Sequence, residues 1–317
     1  MSQNPSISVI VPYFNEQDCL RYLLDQLEAQ TLPPQEVILV NSGSTDASSD
    51  LIDEWIATNR TAVKFKNLNA STKTPGGSKS AGISIAKCDL LAFMDCGLAF
   101  PTDWLQKQFD LLTSVNADWV SGVCRTTGTT DVDKAAIAHT YGLENARPVI
   151  PSSLVRRSVF DRIGVFKDLR AGYDAEWANA STRECLLRGI NPNVVVEYQG
   201  VNFAKDLKSV FLKSLRYARP SVGRNDTVVP YVYMLGGLAA LVVATFMPMF
   251  TPFWLVFYVF ARLLIARYKS RGLSYFLDTP RRLLTLVVTG AVMDLGKFCG
   301  FIMGAYLRYV RRRTLIV

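Results

Sequence analysis

The chain of 317 residues carries a single histidine, His139, and its six cysteines (Cys19, Cys88, Cys96, Cys124, Cys185 and Cys299) are scattered without a C-x-x-C pair. That scarcity argues against a zinc site, a haem attachment site and a Ser-His or Cys-His nucleophilic pair. Scattered cysteines also suit a reducing compartment. Residues 1–6 contain neither a basic segment nor an apolar run, so no secretory leader is expected and the first domain is expected to stay in the cytosol. No internal repeat or low-complexity tract is visible. Acidic residues are scarce locally: residues 204–317 hold 4 Asp+Glu against 17 Lys+Arg, whereas residues 1–203 hold 23 against 18. A part of net charge −5 is therefore joined to one of +13, which sum to the formal +8. Long apolar runs accompany the positive part, which points to a lipid bilayer with an anionic surface as partner and away from nucleic acid.

What is present at the amino end is a pair of short β-branched runs, each ending in a polar turn. Residues 8–11 lead into Pro12, Tyr13, Phe14, Asn15 and Glu16; residues 37–40 lead into Asn41, Ser42, Gly43, Ser44, Thr45 and Asp46. Runs of this kind are strands buried in a parallel sheet, and adjacent parallel strands place both turns at the carboxyl edge, where open α/β sheets bind ligands. Helices are expected at 19–30, with Leu20, Leu23, Leu24 and Leu27 as the buried stripe, at 48–58, and at 79–86 after a Gly-rich loop. Further strands are expected at 63–68, 89–94, 119–123 and 194–197, and a helix at 174–188. The alternation predicts an α/β fold, a doubly wound and mostly parallel sheet with right-handed crossovers, over residues 1–203.

Beyond it, residues 204–227 read as an amphipathic interfacial segment in which Leu207, Phe211 and Leu215 share a face, with an ordinary surface helix as the alternative. Residues 228–317 read as a membrane domain: a helical hairpin at 228–266 that turns at Pro248 to Pro252, a basic loop at 267–282 and a third apolar helix at 283–307. The positive-inside rule puts the basic loop in the cytosol. A third crossing would carry Arg308, Arg311, Arg312 and Arg313 to the far side, so the third helix is expected to be re-entrant or interfacial. Were it to span, Asp294 and Lys297 would be placed to pair.

Several of these motifs, in order, resemble those of family 2 glycosyltransferases with the GT-A fold. They are residues 8–16, 37–46, the helix start Ser78-Lys79-Ser80-Ala81-Gly82-Ile83, Phe93-Met94-Asp95, Pro101 with Trp104-Leu105, and Gly172-Tyr173-Asp174. Arg216-Tyr217-Ala218-Arg219 is similar to the basic stretch of the membrane-attached branch. The resemblance covers roughly residues 6–224 and implies a nucleotide-sugar donor, a UDP-sugar by default, bound by Pro12, Tyr13, Asn15, Glu16, Asn41, Ser42, Gly43 and Lys79. Asn15 and Asn41 as helix caps are the alternative. The family's Asp-x-Asp motif implies Mg²⁺ or Mn²⁺ at Asp95, but the sequence reads Asp95-Cys96-Gly97 and lacks the second carboxylate. Asp174 matches the family's general base and Glu176 is the second carboxylate nearby, while Tyr173 stands where the family has Glu. Arg216, Arg219 and Arg224 would clamp a diphosphate or anchor anionic headgroups.

The expected protein is an inverting hexosyltransferase-type enzyme at the cell inner membrane. Its catalytic domain faces the cytoplasm, and it passes a sugar to a lipid-linked saccharide acceptor in surface polysaccharide or glycolipid synthesis. A polyprenyl-phosphate glycosyltransferase and a catalytically inactive nucleotide-binding scaffold are the alternatives.

Overall fold

A computed structural model of the chain describes residues 5–59, 61–198, 204–222 and 228–310. It forms two compact units, Met1–Arg125 with Ala146–Val201, and Thr126–Asn145 with Asn202–Val317. The sequence reading placed the whole of 1–203 in one domain. Residues 126–145 depart from that because their helix buries Ala135, Ile137 and Ala138 against Ala266, Leu273, Phe276 and Leu286 of the second unit.

The first unit is built on strands β1 (Ile7–Tyr13), β2 (Glu36–Asn41), β3 (Lys64–Asn69), β4 (Leu90–Phe93), β5 (Leu98–Ala99), β6 (Trp119–Arg125), β7 (Ala146–Pro148), β8 (Leu154–Arg156) and β9 (Arg188–Tyr198). They form one sheet in the order β3-β2-β1-β4-β8-β6-β9-β5, with β7 beside β6. Every residue of β1 and β2 is buried, as central parallel strands require. Along β1, Val9 and Val11 join a core layer with Leu23, Leu27 and Leu39. Ile10 joins the opposite layer with Ile38, Val40 and Phe93. Helices α1 (Leu20–Glu28), α2 (Ser48–Thr58), α3 (Pro75–Ile85) and α4 (Trp104–Ser114) alternate with the strands.

The sheet is mixed, and its longer ladders are the parallel ones. β1–β2, β2–β3, β1–β4 and β6–β9 are parallel, whereas β4–β8, β5–β9, β6–β7 and β6–β8 are antiparallel. The expected helix at 174–188 is α7 (Tyr173–Arg183), shorter because Cys185 turns into the left-handed region at φ 52°. It follows α5 (Asp131–Thr140), which lies in the second unit, and α6 (Arg157–Ile163).

The second unit adds α8 (Leu207–Ala218), α9 (Val229–Phe246), α10 (Thr251–Lys269), α11 (Ser274–Leu277) and α12 (Pro280–Ala305), the last extended by a wider turn at Tyr306–Val310. The stretches Val229–Phe246, Pro248–Lys269 and Pro280–Val310 are long and apolar enough to cross a membrane. The hairpin turn falls at Met247 to Phe250, and Pro252 sits in the first turn of α10, where its missing N–H costs nothing. The third apolar helix runs uninterrupted from Pro280 to Ala305, without the break a re-entrant segment needs. Asp294 does not take Lys297 as its partner. It accepts from the Tyr233 and Tyr258 hydroxyls at 3.0 and 2.7 Å and faces Arg262 Nε at 3.4 Å, tying α9, α10 and α12 together.

Candidate active site

Because β1, β2 and β4 are parallel, their carboxyl ends open on one edge. Tyr13 and Asn41 are partners in register at that edge, and Asp95 follows two residues after β4. The two amino-terminal turns meet there and are stapled by their own side chains. The Asn41 carboxamide oxygen accepts from the Gly43 and Ser44 amides at 3.1 and 2.8 Å, and its nitrogen donates to Asn69 at 3.0 Å. Asn15, at φ 55°, accepts from the Thr45 amide at 2.8 Å. Neither asparagine caps a helix: α1 and α2 have Cys19 and Ala47 at their caps. Both are loop staples that shape the edge.

Tyr13 is core rather than pocket. Its ring is 2% exposed and its hydroxyl donates to Asn67 Oδ1 at 2.7 Å, because the strand's alternation turns it inward. The next residue, Phe14, is 45% exposed and offers a flat apolar surface at the edge. Pro12 is buried within β1, and Ser42 is buried with its hydroxyl 2.7 Å from that of Ser78. Gly43 sits in the left-handed region at φ 86°. Burial, then the charges of Asp95 and Asp46, raise the carboxyl pKa of Glu16.

The centre of the site is a buried cation. Lys79, on α3, is fully buried, and its ammonium lies 2.5 Å from Asp95 Oδ1 and 3.3 Å from the Tyr173 hydroxyl. Burial alone would lower its pKa, but Asp95 and then Tyr173 raise it, so the lysine is charged. Tyr173 is pushed up to about 12, chiefly by burial, and stays a neutral phenol. Its ring is held by Phe166 at 5.8 Å, in an aromatic cluster with Phe93 and Trp177 that seats the start of α7.

Gly172, at φ 79°, makes the turn into that helix. In the first turn of α7 the two carboxylates separate. Glu176 is ion-paired with Lys167, whereas Asp174 is half-buried. The loop before α7 is clamped to the loop before α3, because Thr72 donates to Asp168 at 2.5 Å and Thr74 donates to the same oxygen. The approach is close enough that a Cβ on Gly76 would stand 2.2 Å from the Lys167 carbonyl oxygen. This clamp brings Lys79 to Tyr173, and Asp168, Thr72 and Thr74 were missed in the sequence. The adjacent Gly76 and Gly77 were the available signal for a close backbone approach.

Of the residues expected at the Mg²⁺ or Mn²⁺ site, Asp95-Cys96-Gly97, one carries a carboxylate. Asp95 is a lone carboxylate, already neutralised by Lys79, and Cys96 and Gly97 follow it. Among the described residues no group of three or more His, Cys, Asp or Glu side chains converges. Arg216 and Arg219 belong to the second unit, where both are exposed, and Arg224 lies outside the described residues.

The model of the family described as glycosyl transferase family 2 matches residues 8–174, more than half of the chain. The chain belongs to that family. Among curated relatives of this chain, the putative glycosyltransferase EpsH of Bacillus subtilis is 29% identical over 107 residues, covering 34% of this chain and 29% of its own. Glycosyltransferase AglE of Haloferax volcanii is 23% identical over 192 residues, covering 56% and 62%. The chain thus spans less than two thirds of either relative's length. A solved mannosyltransferase from Pyrobaculum calidifontis, in complex with GDP-Man and Mn²⁺, superposes with a TM-score of 0.57 at 18% identity over 93% of this chain and 88% of its own. That likeness shows the GT-A fold.

Proposed function

We propose that the chain is an inverting glycosyltransferase that moves a sugar from a nucleotide-sugar to a lipid-linked saccharide presented at a membrane, with Asp174 as general base. The observation that carries this reading is the arrangement at the sheet's carboxyl edge: a charged Lys79–Asp95 pair touches Tyr173, and Tyr173 directly precedes a carboxylate that is not ion-paired in the way Glu176 is. In the reaction the acceptor oxygen attacks the anomeric carbon from the face opposite the diphosphate. The bond from that carbon to the diphosphate oxygen breaks, the nucleoside diphosphate leaves with the electron pair, and the acceptor proton passes to Asp174. Asp95, held in place by Lys79, orients donor hydroxyls, and Phe14 offers a stacking surface to the base. The family relationship supports a nucleotide-sugar donor, and UDP is the first to test. Mg²⁺ or Mn²⁺ was expected at Asp95. With one carboxylate already paired, the reading assigns the ion no step.

The three apolar helices support a bilayer partner; a lipid-linked acceptor and an inner-membrane location with the catalytic unit in the cytoplasm complete the proposal. The test is a thermal-shift panel on the detergent-solubilised chain with uridine, guanosine, thymidine and cytidine diphosphates. A ligand at about 100 times its dissociation constant stabilises by roughly 2.7 kcal/mol. One nucleotide should shift the melting point, and silence from all of them would contradict the transferase and the nucleotide-binding scaffold alike.

A further inference from the structure

We propose that the second unit contains a binding site for the phosphate head of a lipid, in a cavity of about 450 Å³ lined by α5, α8, α9, α10 and α12. That volume is in the range of small-molecule sites. Three lysines from three helices line it, Lys213, Lys269 and Lys297, and no Asp or Glu does. All three are half-buried. The Lys297 ammonium donates to the Tyr233 hydroxyl at 3.3 Å and that of Lys269 to the His139 carbonyl at 3.2 Å. An ammonium has three N–H donors, so both retain donors for a ligand.

The nearby carboxylates Asp294 and Asp133 accept hydrogen bonds from other groups as well as facing the lysines. Asp294 is held by Tyr233, Tyr258 and Arg262, and Asp133 accepts from the Thr129 and Ala204 amides at 3.1 and 2.8 Å. Like charges gathered in a half-buried cavity repel one another, and an anion reverses that cost. Tyr217 adds a hydroxyl, and Met293 and Phe301 form an apolar wall beside the cations. A polar cationic end next to an apolar wall fits an amphiphile with an anionic head better than a free anion. The wall is preformed, because α8 rests directly on the glycines of α12. A Cβ on Gly296 would stand 2.6 Å from the Phe211 carbonyl oxygen, and one on Gly300 2.5 Å from that of Leu215.

The inference rests on the proposed lipid-linked acceptor only for which lipid enters. An anionic phospholipid and a polyprenyl phosphate present the same head chemistry.

The test uses the full chain in a non-ionic detergent and measures binding of dioctanoyl phosphatidate, a polyprenyl phosphate, dioctanoyl phosphatidylcholine and inorganic phosphate. Both phosphate-headed lipids should bind, and Lys213→Gln with Lys297→Gln together should weaken them at least ~10-fold, the scale of losing charged hydrogen bonds. The exposed Lys208→Gln should leave them within about twofold. The paired Arg variants at 213 and 297 should retain binding, which separates lost charge from lost fold. Tighter binding of the polyprenyl phosphate than of phosphatidate would identify the site with the acceptor, and equal binding would identify it with bilayer phospholipid. Equal affinity for phosphatidylcholine, equal affinity for inorganic phosphate, or undiminished binding by the folded Gln double variant would overturn the proposal. Nucleotide binding is measured in the same samples, so failure of the lipid arms is distinguishable from failure of the transferase reading.

Discussion

Among the described residues each unit has a deeply buried cation facing an aspartate, with one tyrosine hydroxyl beside the first pair and two beside the second, and the two pairs have different surroundings. In the first unit Lys79 is fully buried under Asp95, whose side chain is 27% exposed at the open edge of the sheet. In the second, Arg262 faces Asp294 inside a helix bundle, where two tyrosine hydroxyls take up the carboxylate oxygens. The second arrangement is closed: it satisfies a polar residue that would otherwise be stranded among apolar helices. The first is open: Lys79 meets Asp95 through Oδ1 alone, at the carboxyl edge of the sheet where the proposed function places the donor. An ion pair alone does not mark a site; its unsatisfied remainder and its position on the fold do.

The largest effect expected is on turnover. Asp174→Asn should fold, bind nucleotide within about threefold and lose at least ~10² in rate, whereas Glu176→Gln should lose under ~10-fold; steady-state transfer assays on the two variants decide between the carboxylates. Next in size is stability. Lys79→Met and Arg262→Met should each cost about 3 kcal/mol by stranding a carboxylate, read as a lower unfolding midpoint. Adding Asp95→Leu to the first and Asp294→Leu to the second should recover most of that loss. Only the first double variant should abolish nucleotide binding, and equal behaviour of both would erase the distinction between an open and a closed pair.

A smaller effect comes from His139, whose pKa burial and then the Arg262 charge lower to about 4. A depressed folded value means that the unfolded chain takes the proton first. Its contribution is therefore complete above about pH 6.5 and is lost as pH falls toward 4, with about 2 kcal/mol gone by pH 5. Melting curves of wild type and His139→Asn between pH 7 and pH 5 should converge. The smallest effect expected is that of chelation: with Asp95 already neutralised, EDTA should change nucleotide affinity by less than about threefold. A tenfold loss would restore a metal to the site.

The parallel half of the fold was legible because β1 and β2 are long, β-branched and buried on both faces, and because helix 48–58 carries its stripe between a polar turn and a strand. The antiparallel half was not, since β5, β7 and β8 have two or three residues and show no period. At the site, Asp95 was visible as a polar residue at the end of an apolar strand, whereas Lys79, at a Gly-rich helix start, and Asp174 were singled out by the resemblance. The exchange of Tyr13 for Phe14 as the exposed ring depended on which way one strand residue points. The Asp168 clamp links residues 94 and 96 positions apart, a pairing no local pattern encodes. The Arg262–Asp294 pair escaped for the same reason, because Lys297 was nearer in sequence.

The central claim is direct displacement at the anomeric carbon with Asp174 taking the acceptor's proton. The measurement that tests it most directly is the anomeric configuration of the product. The nucleotide-sugar selected by the thermal-shift panel would be incubated with the chain in an NMR tube, with water as acceptor if no lipid acceptor is supplied, and the first-formed anomer recorded before mutarotation. The account predicts a sugar of configuration opposite to the donor's, formed at least ~10²-fold more slowly by Asp174→Asn. A product that retains the donor's configuration, or equal rates from the two proteins, would contradict it.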